Sequence, residues 1–137
     1  MSDATRPMAI SVMLAVEDAD EAIELYTRAL GATVLWDLHG VAGLEIGGAP
    51  FFVAEPANNG WESPSKLGMP SVRVEVFCAD PDAFIARALA ASARGSLDNL
   101  RDHDTSWGRH RQGSFVDPFG HIWFVGDHSP LRRFPAG

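Results

Sequence analysis

Three pairs of residues in this chain stand at one fixed separation. Ser11 and Arg73, Asp18 and Asp80, and Gly31 and Ala93 each lie 62 residues apart, and the members of each pair hold matching places in a strand, a helix start and a helix end. A constant offset across three kinds of element marks an internal repeat. It confines the fold to architectures made of two similar units.

In the first copy Ile10, Val12, Leu14 and Val16 alternate with Ser11, Met13 and Ala15, the period of a half-buried strand. Asp18 and Glu21 have capping-box spacing, and Ala19, Ala22, Ile23, Tyr26 and Leu30 recur at helical intervals before Gly31, a helix stop. Short strands are expected at 33–38, 41–46 and 51–54, separated by turns at Gly40 and at Gly47 with Gly48. A connector dense in Asn, Gly, Ser and Pro spans 57–69. The pattern then returns. Val72, Val74 and Val76 alternate with Ser71, Arg73, Glu75 and Phe77, Asp80 and Pro81 open a helix, and Phe84, Ile85, Ala88 and Leu89 give it an apolar stripe ending near Gly95. The chain thus reads as one domain over 1–137 with repeats at about 8–56 and 70–128.

The closing run, Phe115 to Val125, is apolar on both sides of Asp117-Pro118-Phe119-Gly120, the composition of a hairpin turn. Phe52 and Phe124 are 72 residues apart, so the second copy holds about ten extra residues. They fall in 97–112, with Asp102, His103, Asp104, Trp107, Arg109, His110 and Arg111, and read either as a loop on the working face or as a solvated charged loop.

A net charge of −7 and a pI near 5.0 argue against nucleic acid and anionic membrane as partners. The single cysteine, Cys78, leaves no intrachain disulfide and fits a reducing compartment. Residues 1–7 are polar, and neither a secretory leader nor a membrane span is expected, which points to a cytoplasmic protein.

The repeated strand, helix and three-strand order, the stretch AIELYTRALG at 22–31 and the run SFVDPFGHIWFV at 114–125 together resemble the vicinal oxygen chelate superfamily, which includes glyoxalase I, extradiol dioxygenases, fosfomycin-resistance enzymes and bleomycin-resistance proteins. The resemblance covers about 10–127. It implies an α+β fold of tandem βαβββ units whose curved mixed sheets surround a cavity, with helices on the outer face, often as a homodimer. Metal-using members place His, Gln or Glu on the first and last strands of each unit. Carried over, those positions are Ser11, Phe52, Arg73 and Phe124, none a credible metal ligand. No metal and no other cofactor is expected there.

Alternation alone assigns Val12, Leu14, Val72, Val74 and Val76 to a face packed under the helices, leaving Ser11, Met13, Arg73, Glu75 and Phe77 on the other. The expected ligand-binding set is Ser11, Met13, Phe52, Arg73, Glu75, Trp107 and Phe124. Arg73 and Glu75 are either a structural ion pair or a polar anchor in an aromatic pocket, and Trp107 either a lid or a loop anchor. His121 is expected to brace the hairpin, His103 and His110 to lie in the insertion, and His39 and His128 to be exposed. Two functions remain open. One is a metal-free binding protein resembling the bleomycin-resistance members, sequestering a drug or metabolite as antibiotic-resistance proteins do. The other is a lyase, isomerase or dioxygenase-type enzyme, a glyoxalase-like lyase for example, using a relocated divalent metal or Glu75 as general base beside Arg73. The expected partners are a small molecule and a second copy of the chain.

Overall fold

The computed structural model describes residues 6–131; residues 1–5 of the polar leading segment lie outside that range. The first unit runs β1 (Met13–Ala15), α1 (Ala19–Leu30), β2 (Thr33–Asp37), β3 (Val41–Ile46) and β4 (Ala49–Ala54). After a connector holding the short helix α2 (Pro64–Leu67), the second runs β5 (Val74–Phe77), α3 (Pro81–Ala90), β6 (Arg101–Thr105), β7 (Gly108–Val116) and β8 (Ile122–Gly126). Each forms a four-stranded mixed sheet with the same order, β1-β4-β3-β2 and β5-β8-β7-β6. The α+β fold of two βαβββ units follows directly from the repeat.

Local chemistry explains the helices. Asp18 and Asp80 each accept a hydrogen bond from the backbone N–H three residues on, Glu21 at 3.1 Å and Ala83 at 3.0 Å, so the two caps are equivalent in structure as in sequence. Gly31 ends α1 in the left-handed region at φ 68°. The guanidinium of Arg87 on α3 donates to the Arg28 carbonyl at 2.9 Å, placing a cation at the negative end of α1. The second helix closes differently from the expectation set by Ala93. It stops at Ala90, and Ser92 rather than a glycine takes the positive φ, 85°.

Three further expectations are corrected. The first strand is shorter than the alternation from Ile10 suggests, and Ile10 is 91% exposed. The Phe52 N–H donates to the Val12 carbonyl at 2.9 Å, but the next donor along β4 would be Pro50, which has no N–H. The β5 ladder likewise starts at Val74, paired with Trp123, because its partner strand opens only at Ile122. Val12 and Val72 are consequently exposed, whereas Leu14 is buried and Val74 and Val76 pack against the core. Third, 97–112 is not a loop. It folds as β6 and the first half of β7, paired from Arg101 with Gln112 to Thr105 with Gly108, so the extra residues lengthen a hairpin.

One hydrophobic core serves both units. Leu14, Val16, Leu44, Phe51 and Val53 from the first sheet, Tyr26 from α1, Ile85 from α3 and Phe115, Trp123 and Val125 from the second sheet belong to one buried cluster. Each fully buried aliphatic side chain there contributes about 1.5–3 kcal/mol. Tyr26 and Phe51 both contact Trp123, at ring-centroid distances of 5.6 and 5.9 Å. At the centre is Asp117, a buried carboxylate that accepts from the Tyr26 hydroxyl at 2.5 Å, Trp123 Nε1 at 2.9 Å, and the N–H groups of Phe119 and His121 at 2.9 and 3.0 Å. The expected brace, His121, is buried and donates Nε2–H to the Ala15 carbonyl at 2.7 Å, which ties the hairpin turn to β1. Gly120 in that turn has φ 89°, and a Cβ there would lie 2.6 Å from the Ser65 nitrogen, so the turn and α2 meet only over a glycine.

Burial, then the Asp117 charge and hydrogen bond, hold the Tyr26 hydroxyl well above its ordinary pKa. The folded state therefore keeps a neutral phenol, and this contribution is complete below the unfolded value of about 10 and fades as pH rises past it. Urea unfolding is expected to show falling stability above about pH 10 in the wild type and a shallower fall in Tyr26→Phe. At neutral pH the same substitution should cost about 1.5–3 kcal/mol.

Candidate functional site

Because the helix-bearing faces of both sheets are consumed by the common core, the opposite faces are left open. Strand register defines what each carries. In the first sheet Met13 pairs with Phe52, Phe52 with Gly43 and Gly43 with Trp36, so one rung crosses all four strands. Residues directly opposite in a sheet share a face. The Trp36 ring lies 5.8 Å from the Phe52 ring, and a Cβ on Gly43 would come within 2.5 Å of Trp36 Nε1; the indole is laid flat across the glycine. All five β2 residues are exposed, among them Val34, Leu35 and Trp36. This face is apolar and uncovered. Sequence reading missed Trp36, although a tryptophan on a strand with a glycine on its neighbour was the available signal.

The second sheet presents a different surface. Glu75 pairs with Phe124 and Phe124 with Ser114; the first pair matches Met13 and Phe52 at the offsets of 62 and 72. The Arg73 guanidinium lies 4.0 Å over the Phe124 ring and its Nε donates to Glu75 Oε2 at 3.3 Å. Their side chains remain 52% and 36% exposed, so the ion pair itself adds little stability; what it fixes is a charged, planar group on an aromatic surface. Further along the same face are Phe77 and His110, with ring centroids 6.2 Å apart, and Trp107 at 6.3 Å from His110. Trp107 thus sits at the tip of the β6–β7 hairpin against His110, not over Phe124.

The expected ligand-binding residues therefore form two groups: Met13 and Phe52 with Trp36 on one sheet, and Arg73, Glu75 and Phe124 on the other. Met13 and Glu75 border different clefts. Ser11 and Glu75 line a cleft of about 1140 Å³ between the units, which also takes in Phe77, Arg87, Asp127 and His128. Met13 borders a smaller cleft of about 510 Å³ beside Trp61 and Val72. Cys78 borders the larger one, but burial pushes its thiol pKa up, which disfavours the reactive thiolate.

The donor chemistry at the family metal positions does not suit a divalent ion. Whether the positions are taken from the offsets or from the register, they supply a hydroxyl or a thioether, two phenyl rings, and either a guanidinium or a carboxylate already held by that guanidinium. A single paired carboxylate is short of the three or four N, O or S donors such ions require. Glu75→Gln is accordingly expected to leave the divalent-metal content of purified protein unchanged by elemental analysis; loss of close to one equivalent per chain would show that this strand holds an ion.

Residues 10–125 match the family described as the Glyoxalase/Bleomycin resistance protein/Dioxygenase superfamily. The chain is 34% identical over 135 residues to the Mycobacterium bovis protein Mb0911c, covering 91% of this chain and 85% of that one. Among solved structures, TioX from Micromonospora superposes with a TM-score of 0.62 at 23% identity, over 92% of this chain and all of TioX. The fosfomycin resistance protein FosX from Listeria monocytogenes, solved with Mn(II) and sulfate, gives 0.65 at 12% identity, over 90% and 91% of the two chains. At these identities both structural likenesses speak to the fold.

Proposed function

Because the chain belongs to the Glyoxalase/Bleomycin resistance protein/Dioxygenase superfamily, we propose that it binds a small molecule between the open faces of two sheets, without a metal at the family positions and without turning the molecule over. The observation that carries this reading is the Arg73, Glu75 and Phe124 cluster, in which a guanidinium stacked at 4.0 Å on a phenyl ring is steered by a carboxylate. Such a group recognises planar and charged ligands through stacking and hydrogen bonds rather than through coordination. The Met13, Phe52 and Trp36 face supplies what that cluster lacks, an apolar wall. Ligand pockets are commonly composed of just these two ingredients.

Met13 and Glu75 border different clefts of one chain, so the reading includes a homodimer in which the apolar face of one copy meets the charged face of the other. Exposure of Met13 and Trp36 on that face, beside the edge strand β2, supports such a cover, since an uncovered apolar sheet face with a free strand edge invites association. A two-fold arrangement would create two equivalent cavities. Light scattering at micromolar concentration is expected to give twice the 14.8 kDa chain mass, and Trp36→Glu to shift the population toward monomer; the monomer mass at all concentrations would refute the shared cavity.

Ligand binding is tested by thermal shift with aromatic cations, glycopeptide antibiotics and small oxoacids, each with and without added divalent metal. A ligand at a hundred times its Kd stabilises by about 2.7 kcal/mol, a readily measured rise in melting temperature. Charged ligands are expected to outperform neutral isosteres, and Arg73→Ala to lose that preference while its own melting temperature stays near the wild type, because the side chain is half exposed. Metal-dependent product formation in the same screen would favour the enzymatic alternative instead.

A further inference from the structure

One cluster combines a buried anchor, His110, with metal-ligating chemistry. Asp127 directly follows β8, and its Oδ1 accepts the Arg111 backbone N–H from β7 at 2.9 Å. Two imidazole nitrogens converge on the same oxygen, His110 Nδ1 at 3.0 Å and His128 Nδ1 at 3.1 Å. The three donor atoms all lie within 4.8 Å of one another. From this arrangement the geometry points to a divalent transition-metal site of zinc type formed by His110, Asp127 and His128.

The site is built in advance of any ion. The His110 side chain is only 7% exposed, and its ring is held among Phe77, Trp107 and Gly126, where a Cβ would lie 2.6 Å from His110 Cε1. Its Nδ1 is therefore aimed at Asp127 by packing, and Asp127 is aimed back by a main-chain donor, the kind of support that orients metal ligands. Two imidazoles and one carboxylate suit zinc and its neighbours, for which bonds of about 2.0–2.2 Å place tetrahedral donors about 3.3 Å apart. The two nitrogen-to-oxygen spacings, 3.0 and 3.1 Å, need to open by only a few tenths of an ångström. Asp127 and His128 line the larger cleft, which leaves the remaining coordination position facing solvent or a small oxygen ligand.

None of the three residues of this site occupies a family metal position and neither Arg73 nor Glu75 takes part, although Asp127 and His128 line the same cleft as Glu75. Among the described residues the other cluster with metal-ligating side chains, Asp20, Asp37 and His39, is exposed at all three and serves as the control. Chelator-treated full-length protein is titrated with Co²⁺, read by visible absorption, and with Zn²⁺, read by calorimetry. The expected result is one saturable equivalent with a low-coordinate Co²⁺ spectrum. Asp127→Asn and His128→Ala, both at positions outside the core, should each weaken binding about tenfold or more while circular dichroism confirms an unchanged fold. His39→Ala should bind as the wild type does, and zinc should raise the melting temperature of wild type but not of His128→Ala. Absence of saturable binding, or binding that survives Asp127→Asn and His128→Ala undiminished, overturns the proposal.

Discussion

The Asp117 carboxylate is the interaction on which most of this structure depends. A charge with no access to water is costly unless hydrogen bonds replace its hydration, and here four donors do so from three places: the hairpin turn itself, Trp123 on β8 and Tyr26 on the helix of the other unit. The arrangement is all or none, since removing the carboxylate would strand buried N–H and O–H groups. Among the described residues no buried side-chain nitrogen or oxygen lacks a partner. One acidic residue thereby sets the turn, the position of the largest core side chain and the docking of the two units.

That docking determines what is left for function. A sheet has two faces, and each unit gives its helix-bearing face to the common core around Tyr26, Phe51 and Trp123. Trp123 points into that core, so its strand neighbour Phe124 must point out, where Arg73 stacks on it. Similarly, Leu14 and Val53 point in while Met13 and Phe52 point out. The residues available for binding are fixed by the same alternation that builds the core, and a one-residue slip in β8 would exchange them. Asp117, by locking the turn ahead of β8, guards against that slip.

The same strand ends in Gly126 and Asp127, where the absence of a side chain at one residue makes room for the His110 ring and the carboxylate of the next meets its Nδ1. The second unit therefore carries its polar chemistry in two separate places along β8, one around Phe124 and one beyond Gly126. The first unit differs at both, and at the position of Asp127 it holds Glu55, whose carboxylate accepts the Ala19 N–H at 2.9 Å instead. Its equivalent positions hold Met13, Phe52 and Gly43, and its open face is apolar. Two copies of one architecture have diverged into a charged half and a greasy half, which is what a cavity walled by both would use. Among the described residues no helix is long and apolar enough to cross a membrane.

Much of this was legible in the chain itself, because it depends on near neighbours. Strand alternation, the paired Asp18 and Asp80 caps, the Gly31 stop and the Asp-Pro-Phe-Gly turn are local signals, and the constant offset joined them into two βαβββ units. Arg73 and Glu75 could be placed on one face from their spacing alone. Other features were not legible, since they depend on contacts across many residues. Pro50 cuts β1 short only because it lies opposite Ile10 and Ser11. Residues 97–112 read as a charged loop because β6 has no apolar period of its own, and they become strands only by pairing. Nothing local distinguishes Asp117 from an ordinary turn residue; its role appears when Tyr26, 91 positions away, reaches it. Alternation can assign a side chain to one of two faces, but which face the core takes is decided by what the other unit brings against it.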